Sequence, residues 1–179
     1  MMRALPISDY IDTSISLYDP ALWRDLWRIR ALQLLEAGVR VDIPDAPEAH
    51  PRYDDDLHAV DRVYAHPGGF WLAYAESSMA GFVGAQCLGA VVELRRMFVS
   101  AEFRRRGVGR ALCAALIEHC AAQAAKSVEL WTAADGPGRS LYAVLGFAVV
   151  AQPGLGFENV REQTGYAPKR GEIRMRLTL

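Results

Sequence analysis

A basic turn that contains two glycines is the part of the sequence best suited to binding chemistry. It follows a β-rich segment, leads directly into an alanine- and leucine-rich segment, and reads Arg104-Arg105-Arg106-Gly107-Val108-Gly109-Arg110. The free backbone N–H groups at a helix start, with about half a unit of positive dipole charge, attract anions. The two glycines let the backbone approach a bulky phosphate without a Cβ clash. The turn therefore predicts a pyrophosphate-binding site.

Two common nucleotide-binding motifs do not fit this turn. A P-loop needs Gly-Lys and then Ser or Thr at the helix start, where this chain has Gly109-Arg110-Ala111. A dinucleotide fingerprint needs a small residue three positions after the second glycine, and Leu112 stands there. The expected ligand is therefore a pyrophosphate carrier that neither motif describes.

Strands and helices along the chain must position this turn. Four segments read as helices, at 20–37, 55–65, 107–125 and 139–145. β-rich runs occupy 70–75, 80–88, 91–99, 128–132, 147–150 and 173–179, and residues 76–79 read as a hairpin turn. Residues 40–56, with six acids and three prolines, read as an exposed loop. This order predicts a mixed α/β sheet in one domain.

The turn and three other segments resemble the GNAT superfamily of N-acetyltransferases. The family's acetyl-CoA signature, Gln/Arg-x-x-Gly-x-Gly/Ala, is matched by Arg104-x-x-Gly107-x-Gly109. The Glu-Leu-x-Arg-x-x-Val run at 93–99 resembles the family's central strand. Residues 138–147 resemble its Leu-Tyr-x-x-x-Gly-Phe block, and residues 172–177 resemble its last strand. The resemblance covers 70–179 well and 1–69 only in the order of elements.

This resemblance implies a fold and an activity for the whole chain. The expected fold is a GNAT-like single domain over 1–179, with a mixed, mostly antiparallel twisted sheet of about six or seven strands and about four helices. Residues 1–69 would supply helices and a loop on the acceptor side, and 70–179 the acetyl-CoA-binding core. The implied enzyme is an N-acetyltransferase that moves an acetyl group from acetyl-CoA, its co-substrate, to a primary amine by direct attack. No metal is implied.

The resemblance also assigns cofactor contacts to individual residues. The backbone at 97–99 would pair with the pantetheine arm, and the N–H groups at 105–110 would hold the pyrophosphate. Relatives often carry Asn seven residues before the tyrosine, where this chain has Asp135, which cannot donate as an amide does. Ser140 is the candidate substitute for that contact. The implied acetyl-CoA-binding residues are Met97, Phe98, Val99, Arg104, Arg105, Arg106, Gly107, Val108, Gly109, Arg110, Asp135, Ser140 and Tyr142.

Tyr142 is the candidate general acid, because the resemblance places it near the thioester sulfur. A phenol of pKa about 10 stays protonated at neutral pH, whereas a thiol of pKa about 8.5 leaves as a thiolate that needs a proton. The other interpretation is a half-buried aromatic residue of a helix. The Gly-Phe block that follows Tyr142 favours the catalytic role.

Glu93 is the candidate general base, because its spacing before Arg104 resembles relatives that use a strand glutamate. An ammonium group of pKa about 10 must lose a proton before it attacks, and a carboxylate can remove it directly or through water. Two other interpretations remain open for Glu93. It could pair structurally with Arg95 or Arg96, or it could be exposed to solvent.

The net charge of −1 hides an uneven distribution along the chain. Residues 1–90 hold 7 basic and 13 acidic residues, a balance of −6, while residues 91–179 hold 13 and 8, a balance of +5. The basic half contains the turn where phosphates would bind. The acids of the loop favour a cationic acceptor, either a small molecule or a peptide amine. No aromatic residues alternate with the arginines, so nucleic acid is not an expected partner.

Composition gives further expectations about location and alternatives. Three cysteines and no apolar signal core favour the cytoplasm, and the apolar segment at 111–125 is interrupted by Glu118 and His119, so no membrane span is expected. No Cys/His spacing suggests a metal site. The connection at 151–171 could shape the acceptor pocket or a homodimer contact. The alternative functions are a non-catalytic acyl-CoA-binding or sensing module and, third, a nucleotide-phosphate or RNA-binding domain.

Overall fold

A seven-stranded sheet forms the centre of the fold, with the strand order β1-β2-β3-β4-β5-β7-β6. All neighbouring strands are antiparallel except β4 and β5, which are parallel. The structure is a computed structural model that describes residues 11–42, 54–151 and 171–179. The strands are β1 (Thr13–Leu17), β2 (Gly69–Ala75), β3 (Ser78–Leu88), β4 (Val91–Val99), β5 (Ser127–Ala133), β6 (Ala148–Ala151) and β7 (Glu172–Thr178). The prediction of a mixed, mostly antiparallel sheet is confirmed.

Five helices accompany the sheet among the residues that are described. They are α1 (Trp23–Glu36), α2 (Asp55–His58), α3 (Val60–Val63), α4 (Val108–Ala122) and α5 (Pro137–Val144). The single helix predicted at 55–65 is wrong in its continuity, because the backbone at Ala59 leaves helical geometry and divides it into two single turns. Leu57, Val60 and Tyr64 of this segment are all buried.

Apolar side chains form one core on each face of the sheet, because alternate residues of a strand point to opposite faces. Trp71 and Ala73 of β2 belong to the core that packs under α4, together with Cys113 and Cys120. The other core joins Phe70, Leu72, Phe82 and Phe98 to side chains of α1, α2 and α3. Cys113 and Cys120 are fully buried in this core. The helices of the N-terminal part therefore lie on one face and α4 on the other.

Two parts of the fold differ from the expectations or lie outside the described residues. The edge strand Thr13–Leu17 was not expected, because Ser and Thr in it weaken the apolar alternation that marks a half-buried strand. The predicted loop at 40–56 and the connection at 151–171 lie mostly outside the described residues. In the described part of the chain, no helix has the length and apolar character needed to cross a membrane.

Candidate active site

The parallel strands β4 and β5 pair over only part of their length and then separate. Val91–Glu93 face Ser127–Glu129, but β4 continues to Val99 and β5 to Ala133 with no register pair between them among the described residues. Beyond Glu93, the backbone of β4 at 97–99 therefore borders a cleft in the sheet. A strand edge of this kind offers N–H and C=O groups to an extended, amide-bearing ligand.

A β-bulge in β4 turns this edge. Phe82 pairs with Phe98 and Gly84 with Arg95, so Arg96 and Met97 together face the single residue Val83. Arg96 has a φ of 57°, in the left-handed region. Because a bulge bends its strand and increases the local twist, it changes the direction of the β4 edge just after the last pair with β5.

The predicted anion site is a left-handed turn that ends at the N-terminus of α4. Arg105 and Gly107 have φ values of 63° and 96°, and Gly107 is the N-cap residue without a side-chain cap. The first intrahelical bond runs from the N–H of Ala111 to the carbonyl of Gly107, at 3.0 Å. The N–H groups at 108–110 are those that a helix leaves without an intrahelical partner. This donor set suits the diphosphate of a coenzyme A molecule.

Gly109 lies where the turn, β4 and α5 approach one another. A Cβ at this position would lie 3.3 Å from Cδ2 of Leu141 and 3.6 Å from Cγ2 of Val99. A side chain at position 109 would therefore crowd Leu141 and Val99 beside the free N–H groups. The donor groups suit a diphosphate, and we expect the pantetheine arm to begin beside Gly109.

Two of the arginines expected to contact phosphate have protein partners. Arg104 donates from Nε to the carbonyl of Val99 at 2.8 Å and pairs with Glu36 of α1. Arg106 pairs with Glu76 at 2.7 Å. Arg105 and Arg110 are exposed beside them. The phosphate-facing charge is therefore expected to come first from Arg105 and Arg110, while Arg104 fastens the turn to β4 and α1.

We expect the substitution Gly109→Ala to weaken acetyl-CoA binding about tenfold, equivalent to about 1.4 kcal/mol, with little loss of stability. The added methyl group would fill space beside Val99 and Leu141 that the ligand needs. Isothermal titration with acetyl-CoA and a thermal melt of the same preparation measure both effects. Unchanged affinity would show that the ligand does not pass beside Gly109.

Glu93 belongs to the last residue pair that joins β4 to β5. The two strands separate directly after this pair, and we call this point the fork. It is only 5% exposed, and its Oε2 is buried without a hydrogen-bond partner. Burial raises the pKa of its carboxyl, which the charges of Arg95 and Arg174 lower in part and Glu129 raises. A carboxyl whose pKa is raised towards neutral pH is suited to accept a proton.

The structure decides between the other interpretations of Glu93. The interpretation that Glu93 is exposed to solvent is wrong, because its side chain is buried. The interpretation that it pairs with Arg96 is also wrong, because Arg96 pairs with Asp54 and Asp56. Arg95 is the nearer cation, but its Nε lies 3.9 Å from Oε2 of Glu93 and its guanidinium donates to Gln86 at 2.7 Å. The contact with Arg95 is therefore long, and it leaves Oε2 of Glu93 without a hydrogen bond.

A second buried acid, Glu129, faces Glu93 across the fork. Glu129 pairs with Arg174 and accepts a hydrogen bond from Nε of Arg176 at 2.6 Å. These two arginines compensate the charge of Glu129. The two acids of this β4–β5 residue pair therefore differ, because Glu129 is paired with arginines and Oε2 of Glu93 has no hydrogen bond. Sequence reasoning missed this group, although the alternation of Arg174 and Arg176 on one face of β7 is visible in the sequence.

Tyr142 lies on α5 and is 5% exposed. Its ring meets Phe147 edge to face, with centroids 5.7 Å apart. Gly138 allows this close packing, because a Cβ there would lie 3.2 Å from Cε2 of Tyr142. Burial, and secondarily the Cys113 thiol, raises the pKa of the phenol, so it is protonated at every physiological pH. The residue is thus more buried than the half-buried aromatic that was considered from the sequence.

The remaining predicted cofactor residues occupy three environments. Met97 and Val99 are half-buried on β4, whereas the side chain of Phe98 belongs to the core under α1, so that only its backbone can serve the edge. Val108 is buried at the start of α4. Asp135 and Ser140 are exposed before and within α5. Their roles as ligand contacts remain predictions.

The acidic segment is less available to a cationic acceptor than its sequence suggests. Asp54 is fully buried and accepts two hydrogen bonds from Arg30, at 2.8 and 2.9 Å. Burial would raise the pKa of Asp56, but hydrogen bonds and charge from Arg96 outweigh it and lower that pKa. At least two of the six acids at 40–56, Asp54 and Asp56, are thus neutralised within the protein. Among the described residues, no group of three or more His, Cys, Asp or Glu side chains could hold a metal ion.

Comparison with known proteins relates both the sequence and the fold to acetyltransferases. N-acetylaspartate synthetase of Danio rerio is 34% identical over 102 residues, which cover 54% of this chain and 36% of that protein. The chain spans little more than a third of the length of the curated relatives it matches.

Two solved structures share the fold over nearly the whole chain. An acetyltransferase of the GNAT family from Staphylococcus aureus Mu50 superposes with a TM-score of 0.73 at 20% identity, over 94% of this chain and 99% of that one. The PaiA N-acetyltransferase of Thermoplasma acidophilum, in complex with coenzyme A, gives 0.68 at 16% identity, over 94% and 100%. Identities this low show the fold alone. The sequence profile described as Acetyltransferase (GNAT) family matches residues 31–147, and this chain belongs to that family.

Proposed function

We propose that this protein is an acetyl-CoA-dependent N-acetyltransferase that uses direct transfer. The observation that carries the proposal is the fork between β4 and β5, with a buried, unbonded carboxyl oxygen of Glu93 at its apex. The left-handed turn at the start of α4 lies at the far end of the same strand. One strand thus connects a site for the diphosphate with a site for proton removal.

The proposed reaction balances with no other reactant. The amine nitrogen attacks the thioester carbonyl carbon, and the carbon–nitrogen bond forms as the carbon–sulfur bond breaks. The ammonium group of the acceptor first loses one proton, through Glu93 to solvent, and becomes the nucleophilic amine. The nitrogen loses a second proton as the amide forms, and the departing thiolate gains one proton, so that the products are the amide, free CoA and one proton in solvent. Acetyl-CoA supplies the activated acetyl group as co-substrate.

Residues of β4 and α5 have separate roles in the proposed reaction. The backbone at 97–99 pairs with the pantetheine arm, and an N–H group near Val99 polarises the carbonyl oxygen. Glu93 removes the proton of the amine, directly or through water. Tyr142 donates to the departing sulfur, and because its pKa is raised it acts first as a hydrogen-bond donor.

The proposed acceptor is a primary amine of a small molecule or peptide. It is cationic when it arrives, and the carboxylate of Glu93 supplies the opposite charge inside the fork. The Danio rerio relative is named as a synthetase of N-acetylaspartate, so an amine that also carries carboxylates belongs in the test panel. We place residues 1–69 on the acceptor side and 70–179 in the acetyl-CoA core, in a single cytoplasmic domain that could form a homodimer.

A screen for release of free CoA tests this proposal. The protein is incubated with acetyl-CoA and a panel of amines: polyamines, aminoglycosides, amino acids, and peptides with free N-termini or lysines. We expect release that depends on one class of amine. Binding of acetyl-CoA without turnover across the panel would instead support a non-catalytic sensing module. Thermal stabilisation by ATP, NAD or an oligonucleotide, but not by CoA, would contradict both.

A further inference from the structure

A partly buried cluster of charges joins the N-terminal helices to the bulge of β4. Its members are Arg30 on α1, Asp54 and Asp56 at α2, Tyr64 after α3, and Arg96 in the bulge. Two arginines face two aspartates, so the cluster is balanced in charge. The cluster has no part in the proposed chemistry. Asp54 and Arg96 are 42 residues apart in the chain, so local sequence patterns do not predict their contact.

Arg96 is the member of the cluster that lies on β4. Its Nε donates to Oδ2 of Asp56 at 2.8 Å and its Nη1 to Oδ1 of Asp54 at 2.9 Å, and a second bond joins it to Asp56. Its backbone has a φ of 57°, in the left-handed region, which is unfavourable for a residue with a Cβ. The side-chain contacts therefore hold a backbone conformation that the residue would not adopt by itself.

The surroundings of the bulge are built to the same geometry. Tyr64 donates to Asp56 and packs its ring against the strand beside the bulge. Gly84, which pairs with Arg95, makes room for it, since a Cβ there would lie 2.5 Å from Cε1 of Tyr64. The bulge thus has the cluster on one side, while the edge at 97–99 that follows it borders the fork.

We propose that Arg96 is a positioning residue: its bonds to Asp56 and Asp54 hold the β4 bulge, and the bulge aims the backbone at 97–99 at the pantetheine arm of acetyl-CoA. This inference rests on the proposed function, because it concerns the same edge of β4. It also gives the acceptor-side helices a direct connection to the acyl-donor site. Arg30 anchors the cluster to α1 through Asp54, and itself donates to Gln33.

Three double variants test the proposal without leaving a buried charge unpaired. Arg96→Gln/Asp56→Asn removes the guanidinium and keeps a side chain at the left-handed position. Arg96→Gly/Asp56→Asn removes the same contacts, but glycine adopts a positive φ freely. The matched control, Arg30→Gln/Asp54→Asn, removes the ion pair between Arg30 and Asp54. It leaves Arg96 with Asp56 and keeps an amide oxygen at position 54 that can accept the bond from Nη1 of Arg96. All three keep the cluster neutral, so each is expected to fold.

The readout is the affinity for two probes, acetyl-CoA and 3′-phospho-ADP, by isothermal titration. The second probe has the diphosphate but no pantetheine arm. We expect the glutamine variant to bind acetyl-CoA about tenfold more weakly and 3′-phospho-ADP as the native protein does. The glycine variant should recover to within about threefold of native for acetyl-CoA, and the control should also stay within about threefold.

Each other outcome overturns a specific statement. Unchanged acetyl-CoA affinity in the glutamine variant, or an equal loss in the control, would contradict the positioning role while leaving the proposed function intact. Equal weakening of both probes, or a glycine variant no better than the glutamine variant, would show a merely structural cluster. Failure of the native protein to bind acetyl-CoA would contradict the proposed function itself.

Discussion

The substitution Tyr142→Phe is expected to lower kcat about 100-fold while the dissociation constant of acetyl-CoA changes less than about twofold. The phenol of Tyr142 is protonated at physiological pH, because burial raises its pKa. Removing one hydroxyl leaves the ring and its contact with Phe147 in place, so the fold should lose no more than about 1 kcal/mol. Steady-state kinetics, titration of acetyl-CoA and a thermal melt measure the three quantities.

Tyr74→Phe is the matched control, because Tyr74 is a half-buried tyrosine of β2 in the other half of the sheet. Its kcat is expected to remain native. If Tyr142→Phe turned over at the native rate, Tyr142 would be a packing residue and the sulfur would take its proton elsewhere. Equal losses in both variants would point to a general effect on folding.

The substitution Glu93→Gln is expected to reduce kcat/KM at least about 100-fold near neutral pH, with partial recovery at high pH. The native protein should lose activity as the pH falls through the raised pKa of Glu93, because the protonated carboxyl accepts no proton. The Glu93→Gln variant has no carboxyl that titrates at this position. Its activity should therefore rise with pH as the acceptor amine loses its proton to solvent. A constant ratio of the two rates across pH would remove Glu93 as the base.

Stability should respond to Glu93 in the opposite direction from activity. The folded pKa of Glu93 is raised by burial above its unfolded value, so its contribution to stability is full at acidic pH and is lost as the pH rises through the folded pKa. We therefore expect Glu93→Gln to melt above the native protein at pH 8, and the difference to shrink at acidic pH.

Glu129→Gln provides the contrast on the same rung of the sheet. Glu129 is bonded by Arg174 and Arg176, so its amide variant should melt below the native protein at pH 8. A drop in stability for Glu93→Gln as large as that for Glu129→Gln would mean that Glu93 is a paired structural acid. The pair of variants thus separates a strained functional carboxyl from a satisfied one.

The features that sequence reasoning predicted correctly are local ones. The strand at 91–99, the turn at 104–110 and the helix that follows are neighbours in the chain, and each has its own signal in spacing or composition. The resemblance singles out Glu93 by its spacing before Arg104, and its role as the base stays a prediction. The order of the remaining elements follows in the same way from apolar spacing along the chain.

The features that sequence reasoning missed depend on partners far apart in the chain. The assignment of Asp54 and Asp56 to an exposed loop failed because Arg30 and Arg96 come from α1 and β4. The bulge at Arg96 is stabilised by such contacts and contains no glycine, so no residue type in the local sequence predicted it. Glu36, which binds Arg104, belongs to the same class of contact. Charge counts alone could not separate solvated acids from paired ones.

Transfer of an isotopically labelled acetyl group tests the central claim most directly. The protein is incubated with acetyl-CoA labelled in the acetyl group and with the amine that gives the fastest release of CoA, and the products are identified by mass spectrometry. We predict that the label appears on the nitrogen of the amine, in an amount equal to the CoA released. Release of CoA with the label recovered as acetate, or no release with any amine, would contradict the account.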